Sequence, residues 1–145
     1  MSPCPFDAPR PAGNEHWDFV ATLSVSSLYL SKDQTYRGYC VLIFDPHHAE
    51  RLTELTAAES MALSRDMLLA NSAIDAAVRP DHMNVALLGN VVRHLHWHII
   101  PRYRSDPRWG APIWPTNLAD MRPTLLPAAE QQALVHQLRA TLASI

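Results

Sequence analysis

The sequence is poor in cysteine and in charged residues. It has two cysteines, Cys4 and Cys40, among 145 residues, and neither belongs to the Cys-x-x-Cys pairs typical of zinc ribbons. Charged residues make up 18% of the chain and give a formal net charge of −2, which argues against a broad nucleic-acid-binding surface. We therefore expect two reduced thiols in a cytoplasmic protein that has no nucleic-acid partner.

Long apolar runs are also missing. No stretch approaches the roughly 18 apolar residues that a membrane-spanning helix needs, so we expect no membrane association. Residues 1–7 lack a basic start followed by an apolar run, and no secretory signal is expected there. Hydrophobic residues nevertheless make up 48% of the chain, which is enough for one packed core.

Proline is abundant at both ends of the chain. Four of the 12 prolines lie within residues 1–15 and predict an extended N-terminal arm, because proline cannot donate a backbone hydrogen bond. Residues 105–127 are rich in proline and tryptophan and predict an irregular segment. We divide the chain into the arm (1–15), a central domain (16–118) and a C-terminal tail with a helix (119–145).

The apolar pattern predicts a mixed fold. A capping-box sequence from Thr56 to Glu59 predicts a helix that ends near Val78, and Pro127 opens a second helix. The first strand candidate changes phase near Ser26, which predicts a bulge. The strand candidates are residues 19–30, 38–44, 82–88 and 91–103. Their short connections favour an α+β domain, with an antiparallel sheet carrying the helices on one side.

Three histidines alternate with apolar residues near the end of the last predicted strand. His94, His96 and His98 would share one face of that strand, because side chains alternate faces with a period of two. Three imidazoles in a row have little value as core filler, since each would need hydrogen-bond partners. The pattern therefore predicts a functional site.

Two kinds of chemistry fit this pattern. Three imidazoles could hold a catalytic zinc ion with one open position, although no carboxylate lies between Asp81 and Asp106 to support them. Alternatively, His96 could attack phosphorus and form a covalent intermediate, while its neighbours stabilise the phosphate charge. We favour the phosphate chemistry, with no metal or cofactor required for the covalent step.

The segment resembles a known family. Residues 94–100 read His-Leu-His-Trp-His-Ile-Ile and match the histidine-triad (HIT) signature, and the Pro101-Arg102 pair directly after them is also similar to that family. Residues 87–92 resemble the Gly-Asn turn of the bacterial branch that is similar to dinucleoside-polyphosphate hydrolases. The resemblance covers about residues 20–115, including a tail at 106–114. It implies a HIT-like sheet of about five strands with a long helix and a C-terminal helix packed on it.

The resemblance also implies roles for individual residues. His96 would be the nucleophile, held in one tautomer by a backbone carbonyl, and His98 would contact the phosphate. His94 would assist the leaving group or the orientation of the imidazole. Asn84 and Asn90 match the positions of side chains that hydrogen-bond phosphate in the family.

Further contacts to the substrate are implied less directly. Asp33 lies two residues beyond the position of the family's ribose-binding carboxylate and is our candidate for that role. Arg102 could bind a distal phosphate through its forked guanidinium. Trp109 and Trp114 could stack on a base. His16, His47, His48 and His136 belong to no motif, and we expect them to be solvated.

The resemblance implies a nucleotide hydrolase or nucleotidyl transferase acting on nucleoside–phosphate–X compounds. Two alternatives stay open: a nucleotide-binding regulatory module with little turnover, and a metal-dependent hydrolase that uses the three histidines as zinc ligands. We also expect a homodimer, because the family's sheet usually continues across two subunits and an exposed strand edge invites pairing.

Overall fold

The computed structural model describes residues 3–145. This part of the chain forms five strands, two α-helices and two short 3-10 turns, at Leu52–Glu54 and Leu118–Asp120. The strands and helices are β1 (Trp17–Thr22), β2 (Ser26–Ser31), β3 (Cys40–Phe44), α1 (Ala57–Val78), β4 (His82–Leu87), β5 (His96–Arg102) and α2 (Ala128–Ala143).

The five strands form one antiparallel sheet in the order β1-β2-β3-β5-β4. This confirms the α+β class and the five-stranded sheet with two helices. β5 lies between β3 and β4, so its residues pair on both sides. Val41 lies opposite His98 and Ile43 opposite His96. Strands β1 and β4 are the two edges of the sheet.

The segment predicted as one strand over residues 19–30 is a hairpin instead. β1 and β2 pair in antiparallel register, and the irregularity lies between Phe19 and Ala21 rather than near Ser26. A buried carboxylate on α1 explains the turn, because Asp66 accepts hydrogen bonds from both the amide and the hydroxyl of Ser24 and from Val25 and Ser26. This contact between residues about 40 apart has no signature in the local sequence.

Both helices pack on the same face of the sheet. The capping box at the start of α1 is confirmed, with Thr56 and Glu59 each donating a backbone N–H to the other's side chain. The helices meet the strands in one apolar core, whose buried members are Val20, Leu28, Leu30, Cys40, Leu42, Ala70, Ile74, Ile99, Leu134, Val135 and Leu138. Among residues 3–145, no helix has the length and apolar content needed to cross a bilayer.

The opposite face of the sheet is covered by the arm and by the irregular tail. Phe6 from the arm and Trp17 pack with Tyr29 and Ile43. Further along the face, Ile113 of the tail packs with Tyr36 and Ile100. Because both helices lie on the other side, this face is free to carry the candidate site.

The strand predicted over residues 91–103 begins only at His96. Before it, the backbone of Leu95 donates to Ala49 and accepts from Phe44, at 2.7 and 3.1 Å, so Leu95 bonds to the segment around the end of β3. His94 therefore lies outside the strand. The prediction of one strand for all three histidines is wrong for His94, although its ring still packs against Phe6 on the face that carries His96, while Leu95 packs against Leu63 of α1 on the other face.

Candidate active site

A cavity of about 360 Å³ opens on the face of the sheet opposite the helices. Its walls come from the arm, from the loop before β5, from β5 itself and from the tail. The lining residues are Phe6, Leu88, Gly89, Asn90, Val91, Val92, His96, His98, Trp114 and Leu118. A volume of this size is at the lower end of the range for small-molecule sites, which run from about 300 to 1,000 Å³.

His96 has one ring nitrogen engaged and one without a partner inside the described protein. Its Nδ1 lies 2.6 Å from the carbonyl oxygen of His94. Because a carbonyl can only accept, Nδ1 carries the proton and the Nε2 atom keeps its lone pair. Burial lowers the pKa of His96, although the bond to His94 opposes that shift. The ring is therefore neutral near pH 7 and keeps the free lone pair that a nucleophile needs.

His98 is the second imidazole in the cavity. Its ring centre lies 4.9 Å from that of His96 and 5.1 Å from that of Trp114, both in edge-to-face arrangements. Burial and the nearby His96 lower the pKa of His98 to about 4. His98 is therefore neutral at pH 7 and acts as a hydrogen-bond partner rather than as a cation.

Tyr39 decides which nitrogen of His98 carries the proton. The Tyr39 hydroxyl lies 2.6 Å from Nδ1 of His98. Burial raises the pKa of Tyr39, so the hydroxyl keeps its proton. Donation from this hydroxyl to Nδ1 satisfies both groups and leaves the N–H on Nε2 of His98. Tyr39, directly before β3, was not among the predicted site residues, because its contact with His98 joins residues 59 apart.

His94 is buried beneath the cavity rather than lining it. Its Nε2 donates to the carbonyl of Phe44 at 2.7 Å. Its Nδ1 lies 3.1 Å from Oδ1 of Asp7 and 3.8 Å from Sγ of Cys4. The contribution of His94 to the cavity is thus its backbone carbonyl, which holds His96.

Side chains of the types that ligate metals surround Nδ1 of His94. Cys4, Asp7, His48 and His94 each offer one ligand atom, and these atoms all lie within 4.8 Å of one another. The set of one sulfur, one carboxylate oxygen and two imidazole nitrogens matches the ligand types of tetrahedral zinc sites. The residues present fit zinc. No motif in the sequence indicated this group; His48 is exposed, as expected, and its Nδ1 lies 3.0 Å from Asp7.

The triad does not supply a zinc ligand set of the kind considered in the sequence analysis. Nδ1 of His94 faces Cys4 and Asp7, whereas Nδ1 of His96 is bonded to a backbone carbonyl and Nδ1 of His98 to a tyrosine hydroxyl. Within residues 3–145, the side chains that converge with metal-ligand geometry are those of Cys4, Asp7, His48 and His94, so only one of the three triad histidines is among them.

Three of the predicted substrate contacts lie in a separate cavity of about 750 Å³ beside β4, which is lined by Asn84, Arg102 and Trp109 among others. The five N–H groups of Arg102 donate to Asn84, to both carboxylate oxygens of Asp106 and to two tail carbonyls. The expectation that Arg102 binds a distal phosphate needs correction, because no donor is left for a ligand. The buried guanidinium instead fastens the tail to the sheet.

Asp33 and Asn90 occupy different regions. Oδ1 of Asp33 accepts from the amide and hydroxyl of Thr35 and from the amide of Thr124, which ties the turn after β2 to the tail. Asp33 lines a third cavity that contains no triad histidine. Asn90, by contrast, lines the same cavity as His96 and His98. The structure thus brings Asn90 to the triad and leaves Asp33 apart.

The fold and the site define a class, namely a small α+β domain that presents alternating histidines from a central strand beneath an irregular tail. A sequence model of the HIT domain matches residues 16–105, which is more than half of the chain. The protein therefore belongs to the HIT domain family. No protein in a search of curated proteins matches it significantly.

Solved structures agree with this assignment. A histidine triad protein from Bradyrhizobium japonicum is 27% identical, with a TM-score of 0.80 and coverage of 88% of this chain and 92% of that chain. One from Marinobacter aquaeolei is 24% identical, with a TM-score of 0.79 and coverage of 89% and 90%. A zinc-bound family member from Mycobacterium smegmatis is 17% identical, with a TM-score of 0.61 and coverage of 87% and 84%. The last two show the fold alone.

Proposed function

We propose that this protein is a nucleotide hydrolase or nucleotidyl transferase of the HIT family's bacterial branch that is similar to dinucleoside-polyphosphate hydrolases. Its substrates are nucleoside–phosphate–X compounds, either dinucleoside polyphosphates or nucleoside phosphoramidates. The observation that carries the proposal is the bond from Nδ1 of His96 to the carbonyl of His94, at 2.6 Å. It leaves a lone pair on Nε2 of a neutral ring that lines the cavity of about 360 Å³.

The reaction proceeds by two displacements at phosphorus. First, Nε2 of His96 attacks, the N–P bond forms, and the P–X bond breaks with X taking the bonding electrons. Water then attacks phosphorus, the N–P bond breaks, and its electrons return to Nε2. The departing X group gains the proton that water gives up, so the products are a nucleoside monophosphate and HX. Forming the covalent intermediate divides one difficult step into two easier ones.

The other residues of the cavity stabilise phosphate charge. Nε2–H of His98 donates to a non-bridging phosphate oxygen, and the side-chain amide of Asn90 donates to another. Such donors act at the position where negative charge accumulates in the transition state. Trp114 and Phe6 supply apolar walls for the nucleoside.

Replacing His96 tests the nucleophile directly. We expect His96→Ala to lose at least 100-fold in turnover of a fluorogenic adenosine phosphoramidate and of a diadenosine polyphosphate. The exposed His136→Ala serves as the matched control and should keep the parent rate. Activity of His96→Ala within about tenfold of the parent, a barrier change of about 1.4 kcal/mol, would rule out His96 as the nucleophile.

A regulatory module that binds nucleotides with little turnover is the runner-up. Calorimetry with nucleoside monophosphates, run beside the turnover assay, separates the two functions. Tight binding without product would favour the module. Product formation that disappears in His96→Ala would favour the enzyme.

A zinc site in this protein would include residues of the arm rather than the three triad histidines together. The M. smegmatis relative is described as zinc-bound, and the ligand types that converge in this chain are those of Cys4, Asp7, His48 and His94. We propose that these four residues bind zinc as a structural site. Because four protein ligands fill a tetrahedral site, such zinc would have no open position for hydrolysis.

We further propose a homodimer that forms along β4. This strand is an edge of the sheet, and Val85 and Leu88 on or beside it are exposed. Unpaired strand edges with apolar side chains favour association. Sedimentation at micromolar concentration should give a species of twice the 16.3 kDa chain mass, and a species of single mass would contradict the dimer.

A further inference from the structure

A small cavity of about 260 Å³, which we call the polar cavity, adjoins the cavity of the triad. Its lining residues are Glu50, Arg51, Gly89, Asn90 and Arg93. Gly89 and Asn90 also line the triad cavity, so the two cavities meet along this part of the loop before β5. A ligand held at His96 can therefore extend past Asn90 into the polar cavity.

The polar cavity carries a net positive charge. Its charged side chains are two cations and one anion, namely Arg51, Arg93 and Glu50. The chain as a whole has a formal charge of −2, so this positive excess is local. The triad cavity adds no charge of its own, because burial lowers the pKa values of His96 and His98 and both rings are neutral near pH 7. Negative charge on a ligand is therefore attracted past the triad and into the polar cavity.

Glu50 holds Arg93 in place without using all of its donors. Nε and one terminal nitrogen of Arg93 lie 2.9 and 2.7 Å from Oε2 of Glu50. Within residues 3–145, the other terminal nitrogen has no bond, and it keeps two N–H groups for a ligand. The Arg93 side chain is 66% exposed, so its ion pair contributes little to stability and the guanidinium is accessible.

Arg51 is placed by the 3-10 turn that follows it. Its carbonyl accepts from the amide of Glu54 at 3.0 Å, which fixes the backbone at the wall of the polar cavity. No hydrogen bond or ion pair within the described part of the chain engages its guanidinium. The carboxylate of Glu54 lies 3.4 Å from the amide of Glu50 and does not line the polar cavity. All five N–H groups of Arg51 are thus available to a ligand.

The charge of the departing group X decides which substrates gain from these two arginines. When X is a phosphate chain, the bond from Nε2 of His96 to phosphorus forms as the P–O bond breaks. The departing phosphate keeps the bonding electron pair and gains a negative charge, which guanidinium groups bind well. The amine of a phosphoramidate takes up a proton as it leaves and gains no negative charge.

We propose that Arg51 and Arg93 form a binding subsite for negative charge on X, so that this protein prefers departing phosphate chains over departing amines. The subsite takes the place of the phosphate contact expected of Arg102, whose donors are all bonded to Asn84, Asp106 and the tail. The preference rests on the proposed function. The binding of a phosphate chain by the two arginines is independent of any reaction.

Binding is measured with inorganic tripolyphosphate, which carries the charge of a phosphate chain without a nucleoside. It should shift the Nε–H signals of Arg51 and Arg93 in NMR spectra of the parent, and added salt should weaken its binding. The double variant Arg51→Gln/Arg93→Gln should bind it at least tenfold more weakly. Arg65→Gln/Arg104→Gln loses the same charge at two exposed positions and should bind as the parent does. The subsite is overturned if the parent does not bind tripolyphosphate, or if Arg51→Gln/Arg93→Gln binds it equally well.

The preference is measured as the ratio of kcat/KM for diadenosine tetraphosphate to kcat/KM for the fluorogenic adenosine phosphoramidate. Arg51→Gln/Arg93→Gln should lower this ratio about tenfold, and Arg65→Gln/Arg104→Gln should keep the parent ratio. Arg51→Lys should retain most of the ratio, because lysine keeps the charge. Equal losses with both substrates would overturn the preference. Tripolyphosphate binding that depends on the two arginines, without turnover of either substrate by the parent, would remove the proposed function and leave the subsite standing.

Discussion

The hydroxyl of Tyr39 lies 2.6 Å from Nδ1 of His98 and fixes the proton of that ring on Nε2. Removing the hydroxyl frees the ring to rotate and to exchange tautomers. We expect Tyr39→Phe to lower kcat/KM about tenfold in the phosphoramidate assay, which corresponds to about 1.4 kcal/mol. The loss should appear mainly in kcat, because the Nε2–H bond strengthens as phosphate charge develops.

Tyr103→Phe is the control for this variant. It removes another tyrosine hydroxyl that donates at 2.6 Å, in this case to the carbonyl of Arg37 and away from the triad cavity. We expect it to leave kcat/KM unchanged. Equal effects of the two substitutions on kcat/KM would show that Tyr39 acts only through stability.

The low pKa of His98 predicts a loss of stability in acid. The folded-state pKa is about 4, below the ordinary 6.5, because of burial and the nearby His96. As the pH falls from about 6.5 to about 4, the unfolded chain gains a proton that the folded protein does not, so the free energy of unfolding decreases. This loss in the free energy of unfolding from His98 is at most roughly 3 kcal/mol, and it is complete once the pH is below 4.

Urea unfolding at pH 7 and at pH 4 measures this contribution. Between pH 7 and pH 4, the free energy of unfolding should fall by up to about 3 kcal/mol less in His98→Asn than in the parent. His136→Asn, at an exposed position on α2, should behave as the parent does. If the free energy of unfolding falls equally in His98→Asn and in the parent, the lowered pKa of His98 would be contradicted.

Replacing Asp66, which lies far from the cavity, should lower the free energy of unfolding strongly. Its buried carboxylate accepts four hydrogen bonds from the β1–β2 turn. In Asp66→Asn one oxygen becomes an amino group that faces donors, and we expect a loss of about 3 kcal/mol in the free energy of unfolding. The exposed Asp75→Asn on the same helix should change it by less than about 0.5 kcal/mol. A small loss in Asp66→Asn would show that other contacts hold the turn.

Arg102→Lys distinguishes a structural arginine from a phosphate ligand. Lysine cannot reproduce the paired bonds to Asp106, and we expect a loss of about 3 kcal/mol in the free energy of unfolding together with faster hydrogen exchange in the tail. Arg104→Lys, whose side chain is 80% exposed, should be neutral. An increase in KM without a change in stability would instead support the phosphate role expected from the sequence.

The parts of the fold that depend on local rules were predictable from the sequence. The capping box at Thr56 and Glu59 involves residues three apart, and it places the start of α1 correctly. Gly89 has a φ of +64°, a conformation that other residues rarely adopt, but the predicted tight turn at Gly89-Asn90 is part of a longer connection over residues 88–95 between β4 and β5. His96 and His98 alternate on one strand as their spacing required.

Features formed by distant segments were not predictable in this way. Leu95 has the spacing of a strand residue, but its backbone N–H bonds to Ala49, so β5 begins only at His96 and His94 does not line the cavity. Arg102 carries the charge of a phosphate ligand, yet its donors are taken by the tail. No motif joins Cys4 and Asp7 to His48 and His94, because their proximity comes only from the folded arm.

The arm has a consequence for the order of folding. Asp7 reaches His94 across 87 residues of sequence, whereas the β1–β2 hairpin closes within a few. Contacts across such a span carry a large loop-closure entropy and form late. During synthesis the arm emerges before the sheet and has nothing to dock on until β5 is complete, so we expect residues 3–15 to be among the last segments of the described domain to settle.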